Sequence, residues 1–205
     1  MKRKKTLVIS LLLIAALALG IGYASHTADI TIGGMVNVDP DPSDFMVVFV
    51  SDSATSSNEN FGKATITTTN TANFSIGKVD GSTDWMSTSG DKVTFAYDII
   101  NDSKDKQLQA YLHELVITEG VCRNSSTSTD VDVHDYFTVD KTVYRLTAEG
   151  TKGAVMTAGE ALANGEKARI EITVTLTQAL EEGAITWTGV SYKLPFSSVA
   201  PTTTP

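Results

Sequence analysis

Alternation of apolar and polar residues with a period of two runs through most of this sequence, and no other feature limits its fold as strongly. It is clearest where Ile170, Ile172 and Val174 alternate with polar residues, and it recurs across 93–99. Such alternation is typical of strands that bury one face. Further strand-like segments lie at 30–38, 45–50, 64–68, 74–79 and 186–194. Turn-forming clusters separate them, so the sequence predicts an all-β fold, a jelly-roll-like antiparallel β-sandwich.

Two segments leave the choice between strand and helix open. Residues 108–117 fit either a strand or a short helix, and we favour a strand. Residues 154–163 allow one helical turn. Helical periodicity is hard to find elsewhere beyond the first 24 residues, so these two segments do not change the predicted fold class.

The first 24 residues have the layout of a secretory signal. Residues 2–5 are basic, residues 7–19 form an apolar core, and small residues up to Ala24 suit a signal peptidase. An apolar run of about 13 residues is shorter than the ~20 that a membrane-spanning helix needs, so we favour cleavage over a permanent anchor. We therefore expect processing between Ala24 and Ser25, no stable membrane span afterwards, and a secreted protein of the extracellular matrix or cell surface.

The remaining chain is long enough for one domain, and its charge excludes one class of partner. We expect a single β-sandwich domain at 25–196 and a Ser/Thr/Pro-rich tail at 197–205. Removing residues 1–24 leaves 12 basic and 24 acidic residues, a net charge of −12. Nucleic acids are not expected as partners, because phosphate binding needs Lys and Arg. Cys122 is the only cysteine, so packing or partner chains must replace internal disulfides.

Three segments of the sequence share motifs with one family of exported proteins. The first is Gly22-Tyr23-Ala24 followed by 30–37, although His26 stands where that family commonly has Trp or Phe. The second, 90–102, is similar to the family's strand that ends in an Asn-Asp turn. The third, 162–166 leading into 168–177, is similar to its Leu-x-Pro-Gly-Glu element, with Asn164 in place of Pro. On these segments the chain resembles the TasA/camelysin family, exported proteins with a SipW-type signal peptide.

The resemblance implies a jelly-roll protein that polymerises into biofilm matrix fibres. The implied partners are further copies of the chain, other matrix proteins, and a signal peptidase during export. A secreted monomeric β-sandwich that binds carbohydrate or a surface partner is the alternative, with Trp85, Trp187 and tyrosines available to stack on sugar rings. A third hypothesis, a camelysin-like metalloprotease, is implied by one branch of the family.

The residues argue against that third hypothesis, and we expect no enzyme and no catalytic residue. His113-Glu114 begins the pattern of a zinc-protease helix, but Ile117 stands where the second histidine is needed. His26 and His134 have no ligand spacing to His113. A protease of this type therefore lacks its metal ligands in the sequence.

Two groups of aspartates supply hard oxygen ligands that would suit calcium. Asp is also a common turn residue, so we expect no cofactor and keep these residues only as candidates. They are Asp39, Asp41 and Asp44 in a Pro-rich turn, and Asp130 and Asp132 on a strand face shared with His134.

The first strand-like stretch after the signal is the candidate for self-assembly. Its alternating side chains, Ile30, Ile32, Val36 and Val38, form an apolar stripe that must be buried. Burial of four such side chains contributes roughly 6–10 kcal/mol. The stretch can fold back on its own sandwich or enter a groove of the next subunit, where backbone hydrogen bonds would supply affinity. The Pro-rich turn at 39–44 would act as its hinge.

Overall fold

A computed structural model describes residues 27–32, 45–76, 84–114, 116–118, 121–124, 127–181, 185–188 and 191–200. These residues form an all-β sandwich with predominantly antiparallel sheets, which confirms the predicted fold class. The helical structure in these ranges is a short 3₁₀ helix, η1, at Val133–Asp135. Over the same ranges, none of the helical structure has the length and apolar character of a membrane span.

Sixteen strands are described, and most are short. They are β1 (Thr27–Ile32), β2 (Val47–Phe49), β3 (Thr55–Ser56), β4 (Gly62–Thr68), β5 (Thr71–Ile76), β6 (Lys92–Asn101), β7 (Ala110–Leu112), β8 (Val116–Thr118), β9 (Val121–Asn124), β10 (Thr129–Val131), β11 (Phe137–Leu146), β12 (Lys152–Met156), β13 (Ala161–Leu162), β14 (Lys167–Leu176), β15 (Ile185–Thr188) and β16 (Ser191–Ser197).

The strands form three sheets. The seven-stranded sheet has the order β13-β7-β16-β1-β5-β4, with β8 also paired to β16. The six-stranded sheet has the order β12-β11-β14-β6-β2, with β3 also paired to β6, and a three-stranded sheet has the order β10-β9-β15. The pairing of β1 with β5 is parallel, whereas the other described pairings are antiparallel. The N-terminal strand therefore lies in the interior of a sheet.

The core is built from the inward faces of β14 and β6 and covered by the seven-stranded sheet. Ile172 lies opposite Phe95, and Ile170 lies opposite Tyr97. These side chains are buried because residues in register across an antiparallel pair share one face. Phe74 of β5 stacks on Phe95 with ring centroids 4.9 Å apart. The period-two pattern of the two long strands thus placed the core correctly.

The structure decides three segments for which the sequence left the secondary structure open or predicted a single strand. Residues 108–117 contain β7 and the start of β8, which confirms the preference for strands. Residues 154–163 contain no helical turn, because β12 pairs with β11, β13 pairs with β7, and Gly159 turns the chain between them at a φ of 92°. Residues 186–194 form parts of two strands, β15 and β16, which belong to different sheets.

The ten-residue strand β11 is missing from the sequence-based prediction. Its alternation begins with Phe137 and Val139, but Lys141 occupies the next inward position. The polar residue hides the period, although β11 pairs with β14 along nine consecutive positions. Tertiary pairing, not local pattern, defines this strand.

Candidate functional site

The N-terminal strand occupies the place on which the assembly prediction depends. All six residues of β1 pair antiparallel with β16, from Thr27 opposite Ser197 to Ile32 opposite Tyr192. On its other edge, Thr31 and Ile32 pair in parallel with β5. Ile30 and Ile32 of the predicted assembly strand therefore lie in β1.

The rest of the predicted assembly strand cannot be placed. The strand was predicted to run over 30–38, whereas β1 begins at Thr27 and is described to Ile32. Val36 and Val38, the hinge at 39–44 and the cleavage residues Ala24 and Ser25 lie outside the described residues.

β1 connects two parts of the seven-stranded sheet. The hairpin of β4 and β5 is joined to β16 through β1. Withdrawal of β1 would leave two facing strand edges, one on β16 and one on β5, each with unpaired N–H and C=O groups. Such a slot accepts any strand that reproduces the pattern of hydrogen bonds, from the same chain or from another copy.

An apolar cavity of about 260 Å³ opens between the two large sheets. The seven-stranded sheet contributes Leu112 and Leu194 to it, and the six-stranded sheet contributes Ile170 and Ile172. All four side chains are buried. The cavity is therefore a cleft in the core. Among the residues whose side chains the structure describes, it is also lined by Val143, Val155, Met156, Ala158, Thr142 and the polar residues His113, Glu114 and Lys141.

Lys141 is a charged residue on the core-facing side of β11. It lies opposite Ile172, and Val143 two residues on lies opposite Ile170. Because Ile170 and Ile172 point into the core, Lys141 shares their face, and its side chain is half-buried. Sequence reasoning missed this residue. The available signal was spacing alone: Lys141 follows Phe137 and Val139 at intervals of two residues, although its polarity interrupts the apolar pattern.

His113 does not have the geometry of a protease helix. It follows β7 and lies beside β16, where its backbone N–H donates to the carbonyl of Pro195 at 3.0 Å. Its Nε2 lies 2.7 Å from Ser197 Oγ. The Ser197 hydroxyl donates to the carbonyl of Val199 at 2.5 Å, so it accepts from the imidazole. In this arrangement His113 donates a hydrogen bond that links the segment after β7 to β16. It does not act as a base that activates the serine.

The aspartates proposed as calcium ligands are only partly described. Asp130 of β10 accepts a hydrogen bond from Arg123 Nε at 3.0 Å. Asp132 lies beyond the end of β10 and caps η1, accepting from the backbone N–H of His134 at 2.9 Å. The expectation that Asp130, Asp132 and His134 share one strand face is therefore wrong, because β10 ends at Val131.

No metal site is formed within the described part of the chain. There, no group of three or more His, Cys, Asp or Glu side chains is arranged to hold an ion. Asp39, Asp41 and Asp44 lie outside that part.

Two other residues singled out in the sequence, Cys122 and Trp187, are engaged in packing. Cys122 is a buried free thiol of β9, and burial, followed by the negative charge of Asp132, raises its pKa. Trp187 of β15 stacks on Phe137 with ring centroids 5.5 Å apart. One face of this indole is thus covered and does not serve as an open platform for sugar.

Comparisons with known proteins reveal no relative. No protein-family model matches the chain, and no curated protein or solved structure matches it significantly. The resemblance to the TasA/camelysin family stays a prediction that rests on the sequence segments alone.

Proposed function

We propose that this chain is an exported structural protein, a subunit of cell-surface or biofilm matrix fibres that assembles by exchange of its N-terminal strand. The observation that carries the proposal is the place of β1, which is nearest the N-terminus among the described strands and yet lies inside a sheet. An N-terminal strand can leave such a position without threading the rest of the chain. The fibre-forming role itself comes from the family resemblance.

The exchange needs little net free energy. The six residue pairs with β16 and the two with β5 would be lost in the donor and remade in the acceptor. A typical backbone hydrogen bond contributes a net ~0.5–1.5 kcal/mol, and these contributions cancel when the same bonds form between copies. Protein concentration and the connecting segment then decide between the closed monomer and the exchanged state.

The connection between β1 and β2 is long enough for the exchange. Residues 33–46 join the two strands, and a stretch of about 14 residues spans up to roughly 45 Å. The segment contains Gly33-Gly34 and the prolines Pro40 and Pro42, which disfavour regular helix. Each donated strand would enter the next copy, so the contact is head-to-tail and produces an open filament.

A cysteine cross-link tests the proposal directly. Thr31 of β1 and Lys193 of β16 are partners in the antiparallel register. Directly opposite residues have Cα atoms ~4.5–5.5 Å apart, a separation that a disulfide spans. Chains with Thr31→Cys and chains with Lys193→Cys, both carrying Cys122→Ala, are secreted separately, mixed under filament-forming conditions and oxidised. Strand exchange predicts a disulfide between one chain of each kind.

Two controls show whether the cross-link is specific to exchange of β1. Lys152→Cys on β12 replaces Lys193→Cys in the first control and should give no specific cross-link, because β12 lies at the edge of the other sheet. In the second, one chain carries both Thr31→Cys and Lys193→Cys. Oxidation before assembly should lock β1 within its own chain and abolish filaments. Filaments without the inter-chain disulfide would show a different interface, and a monomer at all concentrations would support the binding-module alternative.

The export part of the proposal has its own measurement. N-terminal sequencing of the extracellular protein should find Ser25, or a residue one or two positions later, as the first residue. A secreted chain that still begins at Met1 would contradict cleavage and support a retained anchor.

A further inference from the structure

We propose that Asn164 is a site of spontaneous deamidation that the folded turn holds unreactive, so that the modification occurs when this end of the sandwich opens. Asn164 is followed by Gly165, and it is the only asparagine in the sequence that glycine follows. Glycine has no Cβ, so its backbone nitrogen can approach a neighbouring group closely. The inference does not rest on fibre assembly, because the described pairings of β1 involve neither residue.

The reaction needs only the chain itself, base and water. Base removes the proton from the backbone nitrogen of Gly165, and this nitrogen attacks Cγ of Asn164. A bond forms between the nitrogen and Cγ, the bond from Cγ to Nδ2 breaks, and Nδ2 takes up a proton and leaves as ammonia. Water then opens the resulting succinimide. Opening at Cγ gives aspartate, opening at the backbone carbonyl carbon gives isoaspartate, and no atom is oxidised or reduced.

The turn that contains both residues has the wrong geometry for this attack. The backbone N–H of Glu166 donates to the carbonyl of Ala163 at 3.0 Å, and Gly165 has a φ of 80°. Asn164 is not among the described residues with a positive φ, so 163–166 form a type II turn. The second residue of such a turn has a ψ of about +120°, which in an L-residue places the next nitrogen over the α-hydrogen and away from Cβ. The Gly165 nitrogen therefore does not reach Cγ until the turn opens.

Hydrogen bonds to the end of β6 and the residues after it hold both reacting groups. The N–H of Gly165 donates to the carbonyl of Asn101 at 2.7 Å, and Nδ2 of Asn164 donates to the carbonyl of Ser103 at 2.6 Å. Asn101 donates its own backbone N–H to the carbonyl of Glu166 at 3.1 Å. The first bond fixes the nucleophile and the second fixes the leaving group, so both must break before attack. Local opening of the turn is therefore the step that gates the reaction.

The product would not allow the turn to close in the same way. A carboxylate in place of the Asn164 amide has no N–H to donate to Ser103 and brings negative charge towards that carbonyl oxygen. The carboxylate of Glu166 already accepts from the backbone N–H of Ala163 at 2.9 Å and pairs with Arg145, so a second negative charge would lie close to the first. Isoaspartate also lengthens the backbone of the turn. Deamidation would thus record an opening event irreversibly and weaken the link between β6 and the turn before β14.

The test measures the deamidation rate of the purified protein, folded in buffer and unfolded in guanidinium chloride, at the same mildly alkaline pH. Mass spectrometry of proteolytic fragments quantifies the reaction at each asparagine, and chromatography separates aspartate from isoaspartate. We expect Asn164 to be the fastest asparagine in the unfolded chain. In the folded protein its rate should be at least about tenfold lower, because two hydrogen bonds and the turn geometry must be lost first.

Substitutions at two neighbouring exposed positions test the role of the turn. Glu166→Ala removes the acceptor of the Ala163 N–H and the partner of Arg145. It should raise the rate in the folded protein at least about threefold and change the rate in the unfolded chain less than about twofold. Lys167→Ala removes an exposed charge beside the turn and should leave the protection unchanged. Asn164→Asp reproduces one product and should unfold at a lower guanidinium chloride concentration than the parent protein.

Three results would overturn the proposal. Equal rates in the folded and unfolded protein would show that the turn gives no protection. A rate that Glu166→Ala leaves unchanged, in a protein that circular dichroism shows to be folded, would show that opening of the turn does not gate the reaction. Unfolding of Asn164→Asp at the same guanidinium chloride concentration as the parent would show that the product does not weaken this end of the sandwich. The first and third measurements do not depend on the folding of Glu166→Ala.

Discussion

Substitution of Asn101 should destabilise the sandwich more than substitution of any single exposed residue. Asn101 ends β6 and is fully buried. Its Nδ2 donates to the carbonyls of Leu108 at 3.1 Å and Leu162 at 2.9 Å. Its Oδ1 accepts from the hydroxyl of Ser103 at 2.6 Å and from the backbone N–H of Ser103 at 3.2 Å. One side chain therefore holds β6, the segment before β7, and β13 together.

The expected magnitude follows from those four bonds. Each contributes a net ~0.5–1.5 kcal/mol, and buried groups left without a partner raise the cost. Asn101→Ala should therefore lower the free energy of unfolding by about 3–4 kcal/mol. For a domain of this size that corresponds to a decrease in Tm of roughly 10 °C. Urea unfolding followed by circular dichroism measures the loss, and Asp102→Ala, at the exposed neighbouring position, should stay within about 0.5 kcal/mol of the parent protein.

A second substitution at the same site tests the direction of the hydrogen bonds. Asn101→Asp keeps the acceptor but points a buried carboxyl at two carbonyl oxygens, so the pKa of that carboxyl should be raised in the folded state. A group whose folded pKa is raised contributes most below its unfolded pKa, ~3.9 for Asp. The variant should therefore lose stability relative to the parent as pH rises above about 4. A loss below 1 kcal/mol for Asn101→Ala, or no pH dependence for Asn101→Asp, would refute the reasoning.

The remaining predictions concern Tyr97, Gly62 and two ion pairs. Tyr97 donates its hydroxyl to the carbonyl of Asn73 at 2.8 Å, and burial raises its pKa, so Tyr97→Phe should cost about 1 kcal/mol at neutral pH. The unfolded tyrosine ionises near pH ~10 and the folded one does not, so the parent should lose more stability above that pH than Tyr97→Phe does, as measured by urea titration. Gly62→Ala would place a Cβ 2.3 Å from the carbonyl oxygen of Ser75, and the pairing of β4 with β5 keeps that oxygen in place. The substitution should therefore lower the free energy of unfolding by at least about 2 kcal/mol, and an unchanged Tm would contradict this. Asp98 forms a bidentate ion pair with Arg169, with distances of 2.6 and 3.0 Å, so Asp98→Ala should lower the free energy of unfolding by about 1–2 kcal/mol. Asp130→Ala, at the exposed ion pair with Arg123, should lower it by less than about 0.5 kcal/mol. Equal losses would show that burial of the ion pair is unimportant.

The sequence was sufficient to predict the fold class and the strands with a clear period. The alternation in β6 and β14 is local, because successive side chains of any strand point to opposite faces. Their inward residues, such as Phe95 and Ile172, are buried in the structure. The same logic failed for β11, where Lys141 stands at an inward position, and for 154–163, where a turn at Gly159 separates two short strands.

The candidate sites depended on pairings that no local pattern contains. β1 and β16 lie near opposite ends of the chain, and the 2.7 Å contact of His113 with Ser197 joins residues 84 positions apart. Sequence motifs pointed to aspartates around 130–132, yet Asp130 pairs with Arg123 and Asp132 caps a 3₁₀ helix. Local periodicity determines which residues can form strands. Tertiary structure decides the order of the strands, the interior place of β1 and the cleft beside Lys141. These features arise only when distant segments pair, because no single segment can satisfy its own backbone hydrogen bonds or bury its own apolar face.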